Sequence, residues 1–184
     1  MKQLNKKRVT AYHEAGHAVI ARVLTLATER ATIRPSKGLA GHCIIFDPCA
    51  AFPSEWLKRG HPDAEAHAQI MTTMAGTEAE EELLDSPSTS NDGMDRSDIA
   101  ARAEALTDCD WVKLEPRLRQ MTRMLVRRHW ARIERLAQAL LEKTTLNYIQ
   151  IDMLIDIDVE DEARRRWRRS QAQQKRDEWE YQDD

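Results

Sequence analysis

A chain of 184 residues, 41% of them hydrophobic, is long enough for one domain with a buried core. Its net charge of −3 gives no global basic field, so nucleic acid is not the expected partner, and its three cysteines (Cys43, Cys49, Cys109) form no CxxC pair, which argues against a disulfide framework or a cysteine zinc site and for a reducing cytoplasm. No apolar run approaches the roughly 20 residues that span a bilayer, and the polar first ten residues lack the apolar segment of a signal peptide.

The abundance of Ala, Leu, Glu and Arg predicts a mostly α protein with a small β-sheet (α+β). The first helix is expected over residues 5–27. It holds His13-Glu14-Ala15-Gly16-His17, an HExxH motif. On a helix, positions i and i+4 share a face, so both imidazoles can grip one Zn2+ from the same side, with Glu14 on the turn between them. A zinc hydrolase needs these parts: a Lewis acid, a water whose pKa it lowers, and a base to take the proton. Val9, Tyr12, Gly16, Ile20 and Val23 supply an apolar stripe beside the pair. Gly costs about 1 kcal/mol against Ala inside a helix, so Gly16 implies a close neighbour to the backbone. The competing interpretation is a buried helix with two core histidines.

Strand-type sequence follows at 28–35 and 38–46, of which Gly41-His42-Cys43-Ile44-Ile45-Phe46 is the richest in β-formers. Two or three antiparallel strands are expected. Residues 47–62, with three prolines, predict a loop with a helical turn around Trp56. Pro62-Asp63 opens a helix to about Leu84. A Ser-rich loop over 86–94 leads to a helix from Asp95 or Asp98 to about Asp110. Pro116 is expected to start the longest helix, ending near Lys143, with a short helix over 149–155. The segment 158–184 is a charged tail, partly helical or disordered, and its Arg164–Arg169 cluster is read as a solvated face. The domain is placed at 1–157.

Two histidines and a base leave a catalytic zinc one protein ligand short. A thermolysin-like chain supplies a Glu from a following helix. The HExxHxxGxxH pattern is absent, because Ile20 and Val23 stand at its last positions. Asp92, Asp95 and Asp98, after the Ser-rich loop, are the other option.

Ala11-Tyr12-His13-Glu14-Ala15-Gly16-His17-Ala18 closely resembles the AYHEAGHA helix of the peptidase domain of FtsH-type ATP-dependent zinc proteases. Gly38 to Phe46 resembles that family's glycine-led edge strand. Ala75 to Glu81 resembles its AGRxAEE segment, with Thr77 in place of Arg; Ser88 to Ile99 resembles its polar loop ending in an Asp ligand, and Ala137 to Leu146 its late helix. The resemblance covers about residues 8–156. It implies a zincin-like helical metallopeptidase, His13 and His17 as zinc ligands, Glu14 as general base, and an Asp as third ligand. Ser97-Asp98-Ile99 best matches the family's step into the helix, which ranks Asp98 ahead of Asp95 and Asp92. Glu80 or Glu81 would orient a zinc-bound imidazole, and the strand with Gly41, His42, Cys43 and Ile44 would hold extended substrate by main-chain pairing.

These features predict a zinc-dependent metalloendopeptidase acting on proteins or peptides. The alternative is an inactive or regulatory protein-binding module of the same fold. The sequence contains no GxxxxGK[ST] loop, so the expectation is a domain without its own ATPase or membrane module, with a separate ATPase as one partner and self-association through the apolar long helix.

Overall fold

Eleven consecutive residues of the first helix, 11–21, are buried except for His13, which is half-buried. A helix covered on nearly every side is a central element rather than a surface one. The computed structural model describes residues 2–36, 40–46, 62–87, 93–104, 106 and 109–156. Helix α1 (Lys2–Val23) leads to strands β1 (Ala27–Thr32) and β2 (His42–Phe46). Helices α2 (Pro62–Leu84), α3 (Gly93–Glu104), α4 (Trp111–Arg128) and α5 (Trp130–Lys143) follow, then strand β3 (Thr145–Asn147) and a helix α6 over 148–156.

The predicted α+β class is what the structure shows. The expected helix 62–84 appears with those bounds. The strands form an antiparallel sheet in the order β2-β1-β3, with a register shift between Thr28 and Arg30. Strand β2 is therefore an edge, paired only with β1 among the described residues.

Two clusters hold the helices together. The larger joins Tyr12, Val19 and Ile20 of α1 to Ile133, Leu136 and Leu140 of α5, Leu146 of β3 and Ile151 and Ile155 of α6. The smaller joins Ile70, Met71 and Met74 of α2 to Leu118 of α4, with Ile99 of α3 packed against it. Full burial of each such side chain contributes about 1.5–3 kcal/mol. Helix α1 thus lies between α2 and α5, while α2 also packs on α4 and α3.

The single helix predicted from Pro116 to Lys143 is two helices. Pro116 lies inside α4, which begins a turn earlier at Trp111, and the chain breaks at His129, where φ is −106° and ψ 17°. The break lets one amphipathic segment serve two partners: α4 packs on α2 and α5 on α1. Helix α3 likewise begins at Gly93, before both expected starts, and ends at Glu104 rather than Asp110. The loop 47–61, Cys49, Asp92 and the tail 157–184 lie outside the described residues. No described helix is long and apolar enough to cross a membrane.

Candidate active site

Helices α1 and α2 run antiparallel at contact distance, and the site is built in their seam. At Gly16 an added Cβ would stand 2.5 Å from the Ala75 carbonyl oxygen and 2.9 Å from Ala79 Cβ. The close neighbour that Gly16 implies is therefore the backbone of α2. This approach brings the α1 imidazoles against α2. The His17 Nδ1–H donates to the Thr72 carbonyl at 2.8 Å. His13 Nδ1 stands 2.8 Å from Glu80 Oε1.

The Thr72 carbonyl only accepts, so His17 Nδ1 carries the proton and its Nε2 turns a lone pair inward; the Glu80 carboxylate, close to His13 Nδ1 without an aligned hydrogen bond, favours the same tautomer there. The two Nε2 atoms lie 2.9 Å apart. Asp95 Oδ2 completes a triangle, 3.1 Å from His13 Nε2 and 3.6 Å from His17 Nε2. Although buried, Asp95 Oδ2 makes no well-aligned hydrogen bond among the described residues. Three electron-pair donors converging in this way repel unless a cation, a proton or a metal ion, sits among them. Ligand atoms at 2.0–2.1 Å from a tetrahedral ion lie about 3.3 Å apart, and the three measured edges bracket that value. His13, His17 and Asp95 thus fit zinc.

The electrostatics agree. Burial alone would lower the His13 pKa, but the Asp95 and Glu80 carboxylates outweigh it and push it up to about 10. Without a metal, the proton is the cation this pocket holds. Burial would raise Asp95, yet its contacts with His13 and His17 hold the carboxyl well below the usual carboxylate range. Its place in the first turn of α3 also suits a negative charge.

Glu14 is 4% exposed, and it is pushed up by burial and pulled partly back by His17 and His13. A carboxylate raised toward neutrality is a better proton acceptor than one at the ordinary value. The chain preceding β2 approaches this base: a Cβ on Gly41 would stand 2.7 Å from Glu14 Oε1 and 2.7 Å from the Thr32 carbonyl. The Cys43 thiol is pushed well up by burial and by the Glu14 charge, so it stays protonated and offers no thiolate to a metal.

The structure corrects the ranking of third ligands. Asp95, not Asp98, joins the histidines. Asp98 is exposed, because α3 docks through Ile99 and the residue sharing that face is four positions earlier, at Asp95. The two candidate orienting glutamates also part ways. Glu80 meets His13, whereas Glu81 accepts a hydrogen bond from Arg123 Nη2 at 3.1 Å. His42, Cys43 and Ile44 lie half-buried on β2, with Gly41 buried just before it. Sequence reasoning missed Thr72, which contributes a main-chain oxygen and so leaves no mark in its side chain.

An HExxH helix backed by a carboxylate-oriented imidazole and an aspartate from a later helix, on a mostly helical fold with one small open sheet, defines a zinc metallopeptidase active site. Residues 1–103 match Peptidase family M41, and the chain belongs to that family. It is also similar to the ATP-dependent zinc metalloprotease FtsH of Acholeplasma laidlawii (strain PG-8A), 36% identical over 87 residues. That alignment covers 46% of this chain and 12% of the relative, so the chain spans only a small part of that protein's length.

Proposed function

We propose that this chain cleaves internal peptide bonds of extended polypeptides by zinc-assisted attack of water. The observation that carries the reading is the convergence of His13 Nε2, His17 Nε2 and Asp95 Oδ2 beside the buried Glu14. Zinc held there would supply a Lewis acid that polarises the scissile carbonyl and acidifies water. Glu14 takes the proton from the attacking water and delivers it to the leaving amine. Thr72 and Glu80 keep both imidazoles in the tautomer that leaves Nε2 free.

Substrate is proposed to lie along β2, with Gly41, His42, Cys43 and Ile44 nearest the cut. The support is that β2 is an edge and that its approach at Gly41 abuts Glu14. Main-chain pairing to an edge tolerates many side chains, which suits a general peptidase. The relative's name is that of an ATP-dependent enzyme. On that likeness we assign unfolding of folded substrates to an ATPase partner, in a reducing cytoplasm.

Glu14→Gln tests the reading. Zinc should stay bound while cleavage of casein or a quenched peptide falls by about 10²–10⁴-fold, the range for a lost general base. Full cleavage in the variant would remove Glu14 from the chemistry. Wild-type chain that binds zinc yet cleaves nothing would favour a protein-binding module of the same fold.

A further inference from the structure

Thr72, Gly76 and Glu80 recur at every fourth residue of α2 and so form one stripe along its face toward α1. The two ends of the stripe hold the imidazoles: the Thr72 carbonyl takes His17 Nδ1, and Glu80 takes His13 Nδ1. Between them the stripe has no side chain. A Cβ on Gly76 would lie 2.6 Å from His17 Cε1, 2.6 Å from His17 Nε2 and 2.7 Å from His13 Cε1. All three nearest atoms belong to the imidazole rings, and none to the α1 backbone. Gly16 differs, since its nearest neighbours are the Ala75 backbone and Ala79.

From this geometry we infer that Gly76 is a positioning residue for the metal: its missing side chain lets both rings, set edge-on to each other at 86°, press against α2 with Nε2 aimed at Asp95. The rings are caught between fixed anchors at Thr72 and Glu80. A methyl group inserted at Gly76 therefore cannot be met by a small slide of one ring. It would pull His17 from the Thr72 carbonyl, move the Nε2 atoms off their 2.9 Å spacing, or push the helices apart. The inference rests on the zinc reading above. It adds that the metal geometry is set from α2, by an absence at one position, as well as by the ligands themselves.

The test measures zinc affinity of the full chain by competition with a chromophoric chelator, and the urea midpoint of the metal-free chain. Gly76→Ala should weaken zinc by about tenfold or more, the scale of a lost supporting partner. Thr73→Ala, one turn from the same seam, removes a hydroxyl that bonds within its own helix to the Gln69 carbonyl, and should leave zinc affinity unchanged. Ala is the better helix former, so the sign of the stability effect is diagnostic. Gly76→Ala should lower the midpoint in the wild-type background and leave it equal or higher in a His13→Ala/His17→Ala background, where the rings are gone. Wild-type zinc affinity in Gly76→Ala, or a midpoint loss that persists without the imidazoles, would overturn the inference. If Gly76→Ala alone does not fold, the comparison of the His13→Ala/His17→Ala chain with and without it decides in the same way. A wild-type chain that binds no zinc would instead defeat the peptidase reading, while the midpoint comparison would still report on Gly76.

Discussion

Helix α2 carries acids at 78, 80, 81 and 82, and its two sides use them in opposite ways. Toward α4, the acids meet cations built into the chain. Buried Glu78 accepts from Arg123 Nε at 2.8 Å and Arg119 Nη1 at 3.3 Å, Glu81 from Arg123 Nη2 at 3.1 Å, and Glu82 from Arg127 Nε at 2.8 Å. The arginines stand four residues apart, so one face of α4 presents them as a ladder. Toward α1, Glu80 meets His13, a group whose charge depends on what occupies its other nitrogen. The first side is a permanent clasp, because guanidinium keeps its proton; Glu78 and Glu81 raise Arg123 further still. The second side holds an exchangeable cation, a proton or a metal. One helix thus separates the charges that hold the fold from the charges that do the chemistry.

The largest test of that division breaks the clasp. Arg119→Met with Arg123→Met leaves the Glu78 carboxylate, whose side chain is 0% exposed, without either guanidinium. Removing the partners of a buried charge costs about 3–5 kcal/mol. Urea denaturation at pH 7 should show a loss of that size, while chelator competition on the folded fraction shows zinc affinity close to wild type. A large drop in zinc affinity would mean that the two sides of α2 are coupled.

The next test removes a ligand from the exchangeable side. Asp95→Ala should weaken zinc by more than about 100-fold, beyond the range for an outer partner. Asp98→Ala, at an exposed position of the same helix, should bind zinc as wild type does. An equal loss in both variants would show that the helix N-terminus, rather than the Asp95 carboxylate, carries the effect.

Legibility in the sequence followed the same division between near and far. His13, Glu14 and His17 could be read because one helix supplies all three at fixed spacing. Gly16 announced a close neighbour because Gly is costly in a helix. Asp95 could not be separated from Asp98 by local letters, since which acid faces α2 depends on where Ile99 docks. The acid four residues before that apolar anchor was the available signal. Strand β3 is three residues long and shows no periodicity. It forms because Thr144 takes a left-handed turn, φ 63°, and its carbonyl accepts from Ile33 N at 2.9 Å and Thr32 Oγ1 at 3.1 Å. The break at His129 was hidden because one continuous apolar pattern serves two packing partners, and only the positions of α1 and α2 reveal that it must bend.

The smallest effect, and the one that sharpens the comparison most, is pH. In the metal-free chain His13 is pushed up to about 10 from the usual 6.5. A group whose folded pKa lies above its unfolded value stabilises the fold while protonated. That contribution is complete below pH 6.5 and is lost as pH rises through about 10. The urea midpoint of the metal-free chain should therefore fall across this window. With zinc bound, Nε2 of His13 has no proton to lose, and the decline should vanish. Glu80→Gln takes away one of the three carboxylates that raise His13, with Asp95 and Glu14 the others, so the metal-free decline should become shallower and zinc affinity should drop by about 10–100-fold. The arginine clasp contributes no slope here, because its cations do not titrate between pH 6.5 and 10. A metal-free midpoint that stays level from pH 6.5 to 10 would show that the carboxylates around His13 hold no extra proton on it, and a slope unchanged by Glu80→Gln would release Glu80 from its part in holding it.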